Sequence, residues 1–212
     1  NANGDIFIPA FIDHLSFEYK ITRIEQKSFE SNKNIKKIIL AKESEIESFG
    51  EECFAFSSIE YISIPKSVKI LEDSSFYSCH YLKKIEIPEN SELESFGSDL
   101  FNRSLVESIF IPQNIKEINE SILKNNDNLK FITISPKNNH FTQYNNDIVI
   151  GKSSYLLDQL VFVHRDVQKI QIPSFIKEIN NYAVSQCTKL KSIDFESNSK
   201  LCQIGLDFLK NS

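Results

Sequence analysis

Methionine and tryptophan are absent from this 212-residue chain, and glycine occurs only five times. Five scattered glycines build neither a G-x-G-x-x-G phosphate loop nor a G-x-S-x-G nucleophile elbow. The four cysteines, Cys53, Cys79, Cys187 and Cys202, form no C-x-x-C pair. That spacing excludes the usual zinc and thioredoxin-type patterns, and the cysteines read as small buried hydrophobes. His14, His80, His140 and His164 stand in no H-x-x-x-H or H-E-x-x-H arrangement that would put two nitrogens on one metal. Cys79 and His80 are adjacent, so their side chains point apart and do not make a nucleophile and its base. The expectation is a chain that is not an enzyme, with no catalytic residue, cofactor or metal.

Long apolar runs are missing too: none approaches the roughly 18 residues a membrane-spanning helix needs. Charge of one sign is not concentrated anywhere. A net charge of −5 comes with interspersed signs, as in KKIEIPENSELE, so no basic stripe exists to neutralise phosphates and nucleic acid is excluded as a partner. The chain opens NANGDIF, without a signal-peptide pattern, and reads as a processed or excised fragment. What is plentiful is apolar material: hydrophobic residues make up 41%, enough for a core if the chain is compact.

That apolar material repeats. Aligned on the first Ile of an Ile-x-Ile-Pro phrase, Ile38, Ile62, Ile85, Ile109, Ile132, Ile170 and Ile193 are spaced 24, 23, 24, 23, 38 and 23 residues apart. Such a period makes the chain a repeat array before any helix or strand is assigned. VKILEDSSFYSCHYLKKIEIP at 68–88 and IKEINESILKNNDNLKFITIS at 115–135 share one pattern throughout: apolar-x2-apolar-x4-apolar-x2-(Cys/Asn)-x2-Leu-x2-Ile-x-Ile. Two copies, 46–64 and 93–111, carry two extra residues before the apolar pair.

The Leu-x-x-Ile-x-Ile segment alternates, which reads as a short strand with one buried face. Proline at its end cannot donate to a ladder and turns the chain out of the strand. The stretch between, such as LEDSSFYSCHYL, has spacings that suit a short helical or 3-10 turn. One unit of about 23 residues cannot bury its own apolar face, so successive copies must stack and pair their strands in parallel. Asn32, Ser57, Cys79, Asn126 and Cys187 recur at one internal position, where a small polar group can satisfy turn backbone.

This pattern resembles the BspA-like class of leucine-rich repeats, over most of residues 21–209. The resemblance implies an α/β repeat solenoid, a right-handed superhelix with a parallel concave β-sheet and short helical or 3-10 turns on its convex side. It also implies a surface-associated adhesion protein that binds host or matrix components through the concave face, with an intracellular scaffold as the alternative. The expected location is accordingly the cell surface or outside the cell, with the cytoplasm as the alternative.

The whole of 1–212 reads as one leucine-rich-repeat domain. Residues 1–20 are an irregular repeat, carrying either an inserted loop of about nine residues or a cap. Regular repeats run over 21–134 and 170–212, ending in mid-repeat, so the natural protein is expected to continue. Within 135–169, DIVIGKSSYLLDQLVFV predicts a β-hairpin, with strands near 147–151 and 156–163 joined by Gly-Lys-Ser-Ser. Gly151-Lys152-Ser153 is not a phosphate loop, because Asn146 stands where that motif needs glycine.

Function must then lie in the letters that vary. On the predicted strands the residues between the buried aliphatics face outward. Tyr61, Ser63, Lys84, Glu86, Phe110, Phe131, Thr133, Gln171 and Asp194 form the candidate partner-binding face, with Tyr61, Phe110 and Phe131 as an aromatic patch. Phe110 and Phe131 can equally pack on one another or against the insertion. Mixed charge nearby suits a protein or glycan partner better than a polyanion. Asn102 and Asn119 lie in N-x-S sequons and are possible glycosylation sites if the protein is secreted.

Overall fold

A computed structural model describes residues 4–212; residues 1–3 of the irregular segment expected over 1–20 lie outside the described part. The chain divides into two compact units, Asn1–Glu107 with Pro112–Asn128, and Ser108–Ile111 with Leu129–Ser212.

In the first unit the Ile-x-Ile segments form a parallel sheet of β1 (Gly4–Ile8), β5 (Ile35–Leu40), β7 (Tyr61–Ser63) and β9 (Lys84–Glu86). Its register follows the repeat: Ile6 pairs with Ile38, Ile38 with Ile62 and Ile62 with Ile85. Ile38, Ile62 and Ile85 are buried, and their side chains stack on their own copies because a parallel register puts like beside like. Proline then opens a turn, with Val68 N–H donating to Pro65 O at 3.2 Å and Ser91 N–H to Pro88 O at 3.0 Å. Beyond the corner, β4 (Arg23–Ile24), β6 (Ser48–Phe49), β8 (Ile70–Leu71) and β10 (Ser95–Phe96) pair as a second parallel sheet. Ile24, Phe49, Leu71 and Phe96 meet in register there and are buried. The extra residues in two copies are absorbed without loss of register. Gly50 and Gly97 lie so close to the preceding copy that a Cβ would sit 2.5 Å from Gln26 N and 2.4 Å from Asp73 N.

The side opposite the Ile strands corrects the expectation of helical turns. Among the described residues the only such element is one 3-10 turn, Glu120–Ile122, and the return segments are otherwise turns and two-residue strands. The reason lies in the amides. Phe29, Phe54 and Phe76 N–H donate to Cys53, Ser75 and Leu100 O of the following copy at 2.8, 2.9 and 3.1 Å. Their chain neighbours bond locally instead: Glu30, Ala55 and Tyr77 N–H donate to Lys27, Glu52 and Ser74 O. Alternate amides thus leave the copy, and a helix needs consecutive ones. Left-handed residues four apart accompany the alternation, at Lys27 and Ser31, Glu52 and Phe56, Ser74 and Ser78, and Asp99 and Arg103. Behind them Phe29, Phe54, Phe76 and Phe101 stack ring on ring, with centroids 5.3, 5.4 and 5.7 Å apart.

Residues 11–20 form an antiparallel hairpin, β2 (Phe11–His14) with β3 (Phe17–Lys20), closed by Ile21 N–H donating to Ala10 O at 2.9 Å. The long first spacing thus contains this hairpin, following a β1 that is in register with β5 from Asp5 onward, after a shift between Gly4 and Asp5.

In the second unit, β11 (Ser108–Ile111) pairs in parallel with β12 (Phe131–Ile134), and β16 (Lys169–Ile172) with β18 (Ser192–Phe195). The insertion is antiparallel: β13 (Phe141–Tyr144) pairs with β14 (Ile148–Lys152), and β14 with β15 (Leu157–Val163). Gly151 and Lys152 belong to β14, so the turn falls on residues 153–156 rather than on Gly-Lys-Ser-Ser. β15 then continues into the return-side sheet with β17 (Glu178–Ile179) and β19 (Gln203–Ile204). Leu160 thereby occupies the repeat position of Ile179, and Ile148, Ile150, Leu160, Ile170 and Ile179 share one buried cluster.

Candidate binding faces

Outward side chains alternate with buried aliphatics along the Ile strands, except that on β18 Ile193 is half-buried and Phe195 exposed. On the first unit the register places Tyr61 between Lys37 and Lys84, and Ser63 beside Glu86. The ammonium groups of Lys37 and Lys84 lie 5.7 and 5.9 Å from the centre of the Tyr61 ring. The Tyr61 hydroxyl and Lys84 Nζ both donate to the Glu86 carboxylate. Hydrogen bonds from Lys84, then Tyr61, hold the Glu86 carboxyl below its ordinary pKa. Partial burial, then the Glu86 contact, pushes the Tyr61 phenol up. Lys84 is thereby ion-paired with Glu86, while Lys37 stands beside Asp5 of β1 in the register.

On the second unit Phe131 stands opposite Ser108, and Phe110 opposite Thr133, so the two rings occupy diagonal sites. Phe131 is 38% exposed, and its ring meets His164 edge-on with centroids 5.2 Å apart. His164 Nε2 lies 3.1 Å from Ile132 O and 3.2 Å from Gln143 Nε2. One of the two aromatic candidates thus leans on the residue that follows the inserted hairpin. Gln171 and Asp194 pair on β16 and β18, both exposed. The nine candidates therefore fall into separate groups: Tyr61, Ser63, Lys84 and Glu86 on one sheet, Phe110, Phe131 and Thr133 on a second, and Gln171 and Asp194 on a third.

Two features carry no mark in the repeat pattern. His164, as a partner of Phe131, is one. The other is a cavity of about 340 Å³ between β5 and β7, whose lining includes Lys37, Ile39, Lys42, Tyr61, Ser63 and Pro65.

The internal polar position performs the expected task. Asn32 Oδ1 accepts from Asn34 and Ile35 N–H at 3.0 and 3.1 Å, and the Cys79 thiol donates to Phe54 O at 3.0 Å. Burial raises the Cys79 pKa to about 11, so the thiol stays protonated. Cys53, Cys79 and Cys187 are buried as expected, whereas Cys202 is exposed. Of the sequon residues, Asn102 is 7% exposed and its amide nitrogen donates to Asp99 Oδ1 at 3.0 Å. The folded chain does not present that nitrogen. Asn119 is partly exposed, with its side-chain oxygen accepting from Ser121 N–H.

Among the described residues no group of three His, Cys, Asp or Glu side chains is placed to hold a metal, and no helix is long and apolar enough to cross a membrane. The family model for the BspA type leucine rich repeat region matches in six copies, over residues 4–130 and 134–212. The chain belongs to the BspA-type leucine-rich repeat family. No curated protein matches it.

Among solved structures this BspA-type chain is similar to the pneumococcal vaccine antigen PcpA, with 20% identity over 98% of this chain and a TM-score of 0.81. A leucine-rich repeat protein from Eubacterium ventriosum matches 88% of the chain at 25% identity and a TM-score of 0.71. A leucine rich cell surface protein from Faecalibacterium prausnitzii matches 99% at 16% identity and a TM-score of 0.65. The likeness to PcpA and to the Faecalibacterium protein is one of fold. This chain spans 57%, 48% and 67% of those three structures, so it corresponds to part of each.

Proposed function

We propose that this chain is a non-enzymatic interaction module that binds another protein through the outward faces of its parallel sheets. The observation that carries the reading is the alternation itself. Inward positions are committed to stacking, while Tyr61, Phe110 and Phe131 place aromatic surface where a fold of this kind does not require it. Fold alone does not name a ligand, so the partner class rests on these side chains. Part of a surface-associated adhesion protein, meeting a host or matrix component, is the setting in keeping with the Faecalibacterium cell surface protein of similar fold.

The test uses a Phe110→Ala/Phe131→Ala variant against purified extracellular-matrix proteins. Its circular dichroism should match the parent, and affinity for any matrix protein the parent binds should fall at least tenfold, since aromatic anchors each contribute on the order of 2 kcal/mol. Binding unchanged by the double substitution rejects the outward-face reading.

A second reading is favoured by one observation: all four cysteines are unpaired. Persistent free thiols suit a reducing compartment, and the module would then be an intracellular scaffold. Antibody access to the natural protein in intact against permeabilised cells separates the two.

A further inference from the structure

The hairpin of β2 and β3 stands apart from the repeat. Among the described residues its strands pair only with each other, and all eight of their residues are exposed. Direct partners in an antiparallel pair share a face, and the face alternates along each strand. Ile12 with Tyr19, and His14 with Phe17, therefore lie on one side, while Phe11 with Lys20, and Asp13 with Glu18, lie on the other. Ile12, Phe17 and Tyr19 are 49, 67 and 48% exposed, and Leu15 at the turn is 77% exposed. The first side carries no Asp, Glu, Lys or Arg, whereas the second sets two carboxylates directly opposite each other.

Neither the turn nor the acidic side favours this hairpin. Its two central residues are Leu15 and Ser16, both left-handed with φ of 50° and 66°, where such a turn normally takes Asn-Gly. Opposed like charges at Asp13 and Glu18 are a further cost. Two strands alone are marginal in water, so the Ile12–Tyr19 and His14–Phe17 pairs are what holds them, and these gain from cover on their open side. An aromatic side chain offers about 150–250 Å², so with about half to three-quarters of Ile12, Leu15, Phe17 and Tyr19 open, the face presents roughly 500 Å². Two such faces together bury about 1,000 Å², the size at which specific interfaces begin.

We propose that this face is a self-association site, on which the hairpin of a second copy of the chain stacks about a two-fold axis, apolar side to apolar side. Charge selects the occupant. Copies of net charge −5 repel each other, and this contact keeps Asp13 and Glu18 of both hairpins turned outward to water. A two-fold contact requires only a face complementary to itself, and an aliphatic and aromatic face free of acidic and basic groups meets that requirement. A lipid surface fits worse. Asp13 lies two residues, about 7 Å, behind Leu15, within the depth of about 5–10 Å to which an interfacial element sinks, so its carboxylate would leave water. A pair burying about 1,000 Å² is weak and reversible. The contact involves none of the parallel-sheet candidates, so it stands or falls independently of them.

Sedimentation equilibrium of folded residues 1–212 tests this. The mass should rise from monomer towards dimer between about 10 μM and about 1 mM chain, the range expected of so small an interface. Ile12→Lys/Phe17→Lys should weaken association at least tenfold, while Asp13→Asn/Glu18→Gln, on the opposite side, should retain it. Unchanged amide shifts outside residues 11–20 verify that each variant keeps its fold. In a mixture of isotope-labelled and unlabelled parent chain, nuclear Overhauser effects between copies should link the Ile12 and Leu15 methyls to the Phe17 and Tyr19 rings, a readout that needs no substitution. A chain that stays monomeric at about 1 mM overturns the proposal, and its sedimentation with phosphatidylcholine vesicles would assign the face to lipid instead. Association undiminished by Ile12→Lys/Phe17→Lys, association lost with Asp13→Asn/Glu18→Gln, or contacts between copies confined to other residues overturns it as well.

Discussion

Asp158 is 4% exposed, and its carboxylate accepts from Ser153 Oγ at 2.6 Å and lies 3.0 Å from Lys177 Nζ. Burial alone would raise its pKa, but the Ser153 and Lys177 contacts outweigh it and hold the carboxyl below its ordinary value. A carboxyl with a depressed folded pKa stabilises the fold above its unfolded pKa, near about 3.9, and that contribution is lost as pH falls through the folded value. Asp158→Asn should therefore lower stability at pH 7 by about 1–2 kcal/mol and flatten the decline between pH 5 and 3. Denaturant unfolding across that range checks both; a parent-like acid slope in the variant rejects the assignment. Asp158 lies within the segment that broke the repeat, where no copy-to-copy comparison marks a residue. The outward candidates were legible because strand alternation assigns them. The cavity beside them was not, because its lining comes from two successive copies, Lys37 and Ile39 from one and Tyr61 and Pro65 from the next.

Among the elements, the Ile-x-Ile-Pro strands and the inserted hairpin could be read from pattern, since period-two alternation and a chain-breaking proline are local properties. The return segment could not. Its spacing of apolar residues is compatible with a helical turn, and what prevents one is a set of left-handed residues that are Lys27, Glu52, Ser74 and Asp99 rather than glycine. Their conformation is imposed by amides bonding to the neighbouring copy, a tertiary cause with no residue signature. The column of phenyl rings is the packing consequence. Phe76 has a stacked ring on each side, Phe54 and Phe101, and is fully buried, whereas Phe29 is partly exposed and, among the described residues, stacks on Phe54 alone. Phe76→Ala is expected to cost about 3–5 kcal/mol, the range for deleting a buried aromatic, and Phe29→Ala clearly less. Calorimetric midpoints of the two variants decide this, and equal losses would reject the ranking by burial and stacking.

At the scale of the whole molecule, a repeat array holds each copy only through its neighbours, so stability should vary along the chain. The cysteines sample that variation. Cys202 lies in the stretch 188–212, which contains no buried residue. Cys187 sits just before it, with its N–H donating to Ser212 Oγ at 3.1 Å and its thiol accepting from Arg165 at 3.8 Å. Arg165 is itself 5% exposed, donating to Ala183 and Tyr182 O, so this corner is ordered by contacts that residues 188–212 help to cover. Cys53 and Cys79 are fully buried among the stacked phenylalanine copies, and burial raises both thiol pKa values. Thiol labelling of folded residues 1–212, read by mass spectrometry after digestion, should modify Cys202 at once. Cys187 should follow at the rate of local opening of residues 188–212, and Cys53 and Cys79 should react last. Sub-global opening spans free energies from about zero up to the global value, so these classes should differ in rate by orders of magnitude. Removing the cover locally, by Ser212→Ala, should accelerate Cys187 and leave Cys53 and Cys79 unchanged. Reaction of Cys53 or Cys79 ahead of Cys187 would mean that the array opens from its phenylalanine column, contrary to a stability set by how many neighbours cover each copy.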